Sequence, residues 1–203
     1  MNRKISFKIL NISLLMALIS GVFLSLASFD TSCEELRNNV LRLHIIANSN
    51  SDYDQQLKLK IRDEILKNST DIFNNTENIN DAILVANRRK QEFTQIAENV
   101  IMENGASYNV TAEIGDSYFE TREYDDFTLP AGVYKSLIIK VGKAEGKNWW
   151  CVIFPEICVS TAKKGDLTDT VSQGTATVAK NPNRYVMRFK LIEIYEGIKN
   201  LIN

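Results

Sequence analysis

The chain has one histidine, three prolines and three cysteines in 203 residues, and its formal net charge is only −1. A single histidine and no two-residue cysteine spacing argue against a zinc site built on the usual ligands. The 24 basic and 25 acidic residues include no basic run, which excludes the phosphate-neutralising surface that nucleic-acid binding requires. No glycine-rich turn leads from a strand into a helix, since Gly142 and Gly146 fall between strand patterns, so no phosphate loop is expected. No cofactor is implied.

Acidic residues are missing altogether from the first 29 positions. Arg3, Lys4 and Lys8 precede an apolar stretch from Ile9 to Leu26, the pattern of an export signal or membrane anchor. Ser25-Leu26-Ala27 places small residues at −3 and −1 of a cleavage site, and the stretch also approaches the ~20 residues that span a bilayer. Asp30-Thr31-Ser32 before Cys33 fits a lipid-attachment site poorly. The expected organisation is therefore a signal peptide or anchor over 1–27, then one domain over 28–203. Membrane contact is expected only through the N-terminal segment, and export frees or tethers the domain according to whether that segment is cut.

Within the domain, VLRLHIIA (Val40 to Ala47) reads as a strand covered on both faces. Ser51 and Asp54 read as a capping box opening a helix with Leu57, Ile61 and Ile65 on one face. A second, longer helix is expected over 81–104, capped by Asn80 and ended by Gly105. Alternation from Tyr108 predicts a strand stopping at Gly115-Asp116, with a weaker one over 118–123. Tyr134 to Val141 and Trp149 to Phe154 read as a hairpin turned by Lys143–Lys147. The Ser-, Thr- and Gly-rich segment 160–180 reads as a mobile loop, and Asn181-Pro182 as the start of a C-terminal helix. That order predicts an α+β fold, a mostly antiparallel sheet with two helices after the first strand and one at the end.

Few residues suggest chemistry. His44 in a strand could act as a base only with a nucleophile in reach, and Cys151 is the candidate; Cys–His catalysis is the alternative function, an exported cell-wall or peptide hydrolase. Cys151 and Cys158 lie seven apart and outside the cytoplasm can form a disulfide, or else remain two buried thiols. Trp149 and Trp150 are adjacent strand residues and must face opposite sides, so one can serve as a binding anchor.

Two longer stretches carry a family pattern. LRLHIIANSNSDYDQQLKLKIRDEIL (Leu41–Leu66) and LPAGVYKSLIIKVGKAEGKNWWCVIFPEIC (Leu129–Cys158) resemble, in order and spacing, the two motifs of stage II sporulation protein R of endospore-forming Firmicutes. The resemblance implies a signalling protein rather than an enzyme. Such proteins are made in the forespore, cross its membrane into the intermembrane space, and trigger a membrane-embedded aspartic protease that processes pro-sigma-E in the mother cell. The motif residues transferred as partner-binding candidates are His44, Asn48, Asp54, Gln55, Lys58, Arg62, Tyr134, Trp149 and Trp150.

Overall fold

The computed structural model describes residues 3–124, 127–155 and 170–202. Its elements run α1 (Arg3–Asn38), β1 (Leu41–Ile46), α2 (Asp52–Ile72), α3 (Ile79–Arg88), α4 (Lys90–Glu103), β2 (Val110–Phe119), β3 (Arg122–Glu123), β4 (Thr128–Leu129), β5 (Gly132–Val141), β6 (Asn148–Phe154), α5 (Gln173–Lys180) and α6 (Pro182–Ile202). The fold is α+β, a single domain behind an apolar N-terminal helix.

The main sheet has the order β2-β5-β1-β6, and β3 pairs with β4 in a separate ribbon. β1 runs parallel to β5 and antiparallel to β6, while β2 is antiparallel to β5. Here the expected hairpin is corrected. β5 and β6 follow one another in the chain but do not pair, because β1 lies between them. The physical reason is β1 itself, a strand too apolar to stand at a sheet edge, whose backbone is satisfied on both sides by the split pair.

Alternation along β1 divides the domain into two layers. Leu41, Leu43 and Ile45 face a core built with Leu57, Ile61 and Ile65 of α2 and with Ala82, Ala86, Phe93 and Ala97 of α3 and α4. Arg42, His44 and Ile46 face the other side, where a smaller core gathers Leu36 of α1, Phe119, Leu129, Tyr134, Val152 and Ala179. α1 therefore has two lives. Its apolar part from Ile9 to Leu24 is exposed, whereas Phe29, Cys33 and Leu36 are buried in the domain. It is one helix long and apolar enough to cross a membrane, and it continues unbroken through Ala27.

Three further expectations are corrected. The helix over 81–104 is two helices, broken at Arg89 (φ −99°, ψ 16°), so three helices follow β1. Asn87–Gln91 offers no apolar residue to hold one continuous face, and the break lets each half turn its own stripe inward. The cap is Asn78, which accepts from the amides of Asn80 and Asp81. β2 does not stop at Gly115-Asp116 but stays in register with β5 from Val110↔Val141 to Phe119↔Gly132, which leaves only a two-residue strand at Arg122–Glu123. Finally, part of the expected loop over 160–180 is helix α5, whose cap Ser172 accepts from the Thr175 amide and whose Ala176, Val178 and Ala179 are buried. Residues 156–169 lie outside the described residues.

The end of α4 follows expectation. Gly105 (φ +75°) stands past the cap Asn104, with Gly105 N–H on Met102 O (3.0 Å) and Ala106 N–H on Ile101 O (3.1 Å), the two bonds of a glycine-terminated helix.

Candidate functional site

The turn from β5 to β6 must pass over the C-terminal end of β1, and that crossing joins the two motif stretches. Ala47 O accepts from Gly146 N–H (2.9 Å), and Asn48 O accepts from Glu145 N–H (3.3 Å). The Asn48 side chain is a bridge: Oδ1 accepts from Lys143 N–H (3.0 Å) and Nδ2 donates to Asp54 Oδ2 (2.8 Å). Asn50 Oδ1 accepts from Lys147 N–H (2.8 Å).

Asp54, buried at the start of α2, anchors this lock. Its Oδ2 also accepts from Ser49 Oγ (2.6 Å). Burial pushes its carboxyl upward, but hydrogen bonds from Ser49, Asn48, Tyr108 and Ser51 outweigh it and hold the group below the ordinary carboxylate range. Ser51 caps the helix as expected by accepting from the Asp54 amide, but the return bond to the Ser51 amide comes from Ser49 Oγ, not Asp54. Asp54 is thus freed to hold Asn48. Gln55 Nε2 donates to Ser49 O (2.8 Å), and Lys58 Nζ donates to Gln55 Oε1 (2.7 Å) and Lys147 O (2.9 Å). Lys58 is a buried ammonium whose pKa is lowered, by desolvation first and by Lys147 and Arg62 after it.

Four of the nine candidates, Asn48, Asp54, Gln55 and Lys58, are therefore occupied in tying the first motif to the second. Tyr134 is a fifth that serves the interior. It is buried, its hydroxyl donates to Pro130 O (2.6 Å), and burial raises its pKa.

The other four gather around the start of β6. Trp149 faces the helical layer, with the Arg62 guanidinium 4.4 Å from its ring centroid. Trp150 faces the opposite layer, in ring contact with His44 (6.3 Å) and Phe119 (5.8 Å). Both tryptophans are half-buried, and Arg62 and His44 are also only partly covered. The adjacent indoles thus divide between the two faces as the strand period requires.

His44 does not meet Cys151. In the β1–β6 register His44 lies opposite Trp150 and Cys151 opposite Leu43, and opposed residues share a face, so the two point to opposite sides of the sheet. Cys151 is moreover disulfide-bonded and presents no thiolate; Cys158, its expected partner, lies outside the described residues. The Cys–His hydrolase has no geometry here. His44 Nδ1 instead lies 3.3 Å from Ser117 Oγ.

Desolvation first, then the positive charges of Arg42 and Lys140, lower the His44 pKa, against a raising contribution from Asn148. The folded state therefore binds its proton less readily than the unfolded chain, which titrates near ~6.5. Stability from this group is complete above that value and is lost as pH falls toward the folded pKa. Urea midpoints measured between pH 7.5 and 5.5 should fall for the parent protein, and the fall should be shallower in His44→Gln.

One structural residue escaped the sequence reading. Arg42 is fully buried, with its guanidinium 3.8 Å from the Phe119 centroid and 4.9 Å from that of Tyr134, and Nη2 donates to Tyr124 Oη (3.0 Å). The available signal was an arginine inside an otherwise apolar strand. Gly142 and Gly146, passed over because they form no phosphate loop, are the other signal. Each sits where an added Cβ would run into Asn48 or Ser49.

A family model for stage II sporulation protein R matches residues 37–164, which include β1 through β6 and both motif stretches. Stage II sporulation protein R of Bacillus subtilis (strain 168) is 33% identical over 155 residues, covering 73% of this chain and 69% of that protein. No solved structure matches. With the family model spanning more than half the chain and the lock between the motifs accounting for their spacing, the chain belongs to the stage II sporulation protein R family.

Proposed function

We propose that this protein is an exported signal of sporulation, which activates the membrane-embedded aspartic protease that processes pro-sigma-E by binding its extracytoplasmic part. The observation that carries the reading is membership of the family in a chain whose apolar N-terminal helix leads directly into the folded domain. A signal that acts across a septum needs an address for crossing a membrane and a stable domain beyond it. This chain has a segment suited to the first and a two-layered core for the second.

On this reading the partner meets the start of β6, where Trp149 with Arg62 and Trp150 with His44 lie on the two sides of the sheet. Half-buried aromatic and arginine side chains are the residue types that dominate binding interfaces. Two arms test this. Deleting the gene should abolish sigma-E processing, and expression confined to the forespore should restore it; normal processing in the deletion strain defeats the proposal. In the second arm, Trp150→Ala and Arg62→Ala should depress processing more than they lower the melting temperature. Asp54→Ala should lower both together. Processing that tracks stability in every variant would remove the start of β6 as the signalling surface.

A further inference from the structure

α6 carries an apolar seam that the domain does not use. Met187, Leu191, Ile194, Ile198 and Leu201 recur at spacings of four, three, four and three residues, and each is at least 51% exposed. That spacing is the 3.5-residue repeat of a coiled-coil seam, and the apolar Tyr195 and Ile202, also exposed, flank it at e. With Leu191 and Ile198 at a and the other three at d, the f positions are Phe189 and Glu196. Both are buried against the domain. The helix therefore docks by the side opposite its seam and holds the seam outward.

The direction of α6 decides what covers it. Phe29 of α1 packs on Tyr185 (5.6 Å) and Phe189 (5.1 Å), and Arg37 lies 3.8 Å from Glu196, so α6 runs alongside the end of α1 in the same sense. It points away from the apolar segment and does not lie along a bilayer that α1 crosses. Two copies held in one bilayer through α1 present their α6 helices side by side and in parallel.

We propose that α6 is a self-association helix, through which two anchored copies of this chain pair in parallel along Met187, Leu191, Ile194, Ile198 and Leu201. The flanking positions suit that pairing. In a parallel pair each g residue meets the e residue five further on in its partner, which sets Lys190 against Tyr195, Gly197 against Ile202 and Asn183 against Arg188, with no like charges opposed. α1 continues the same side: Gly21 and Ser25 line a cleft with Arg188, an e residue beside the seam. Ser13, Ala17, Gly21 and Ser25 recur every four residues, the small-residue pattern that lets membrane helices approach closely. Two heptads alone make a marginal coiled coil, and shared anchorage supplies the effective concentration that such a pair needs.

The test uses the full chain in phospholipid vesicles, with single cysteines at Ile194→Cys or Ile198→Cys on the seam and Val186→Cys or Lys199→Cys off it. Of the native cysteines, Cys33 is buried and Cys151 is disulfide-bonded. Mild oxidation should give at least about tenfold more covalent dimer from the seam positions, as expected for tethered neighbours. Ile194→Asp with Ile198→Asp should abolish dimers of the otherwise unmodified chain, read by single-molecule photobleaching, without lowering the melting temperature. Equal cross-linking at all four positions, a monomeric parent chain, or cross-links between Met187→Cys and Leu201→Cys in mixed samples would overturn the parallel pair. So would a double-aspartate variant that keeps its dimers. If that variant fails to fold, the cross-linking comparison still decides.

Discussion

Gly146→Ala is expected to cost the domain about 3 kcal/mol or more, the range reserved for substitutions that force backbone apart in a packed site. The added methyl would lie inside van der Waals contact of the Ser49 carbonyl, 2.7 Å from its carbon, and 2.8 Å from Ala47 Cβ. None of these atoms can rotate away. The loop can relieve the clash only by lifting off β1, which gives up the Gly146 N–H bond to Ala47 O and strains the neighbouring bonds to Asn48 and Asn50. Because those bonds close the split between β5 and β6, the loss spreads to the pairing of β1. Gly174→Ala is the matched control. It is the second residue of α5 with open space around it, and should be neutral or stabilise by up to about 0.5 kcal/mol, less than the helix-interior propensity difference. Chemical denaturation of the two variants beside the parent protein checks both expectations, and equal effects would deny the lock its role.

The same crossing explains how much of this molecule could be read from its sequence. Elements with their own period or cap were legible: the Leu57, Ile61, Ile65 stripe of α2, the Gly105 terminus, Pro182 opening α6, and the apolar run before Ala27. Pairing was not legible where it depended on a competitor elsewhere in the chain. Lys143–Lys147 is a good hairpin turn locally, and nothing nearby reveals that β1, roughly a hundred residues earlier, takes the central place. Helix α5 was hidden for a related reason. Its Ser, Thr and Gly content favours a loop in isolation, but Glu35 of α1 receives both the amide and the hydroxyl of Ser172, and Val178 and Ala179 pack in clusters with Cys33 and Leu36 of α1. Tertiary contact outweighed local propensity there.

The site divides along the same line. Motif position picks out side chains that the fold brings to one end of the sheet, Tyr134 excepted, but does not separate those that serve the fold from those with exposed surface. Asn48, Asp54, Gln55 and Lys58 look like binding residues by type because they are polar and close together. Part of their hydrogen bonding closes within the first motif, Asn48 on Asp54 and Gln55 on Ser49 O, and the rest goes to the Lys143 amide and the Lys147 carbonyl, which arrive only when the two motifs meet. Trp149, Trp150, Arg62 and His44 keep partly exposed surface at the end of the sheet, and a binding role there does not require the fold to open.

Tyr134→Ala is expected to be among the most damaging single substitutions outside the lock, at about 4 kcal/mol, the usual cost of emptying a buried aromatic site. The ring is 1% exposed and packs edge-on against Phe119 at 5.6 Å, with the Arg42 guanidinium nearby. Removing the ring takes one aromatic neighbour from a buried cation that has no carboxylate among its contacts in the described residues, so the guanidinium loses stabilisation as the core loses volume. Tyr134→Phe separates these contributions. It keeps the ring beside Arg42 and gives up only the hydroxyl bond to Pro130 O, for an expected loss of about 1–2 kcal/mol. Urea unfolding of the two variants measures the difference. A loss in Tyr134→Phe as large as in Tyr134→Ala would mean that the hydroxyl, not the aromatic packing, holds the second layer together. Any signalling defect in Tyr134→Ala should then be matched by its fraction unfolded, whereas Trp150→Ala, on the same face but half-buried, should lose signal ahead of stability. That contrast places the boundary between scaffold and surface on one face of the sheet, between Tyr134 of β5 and Trp150 of β6.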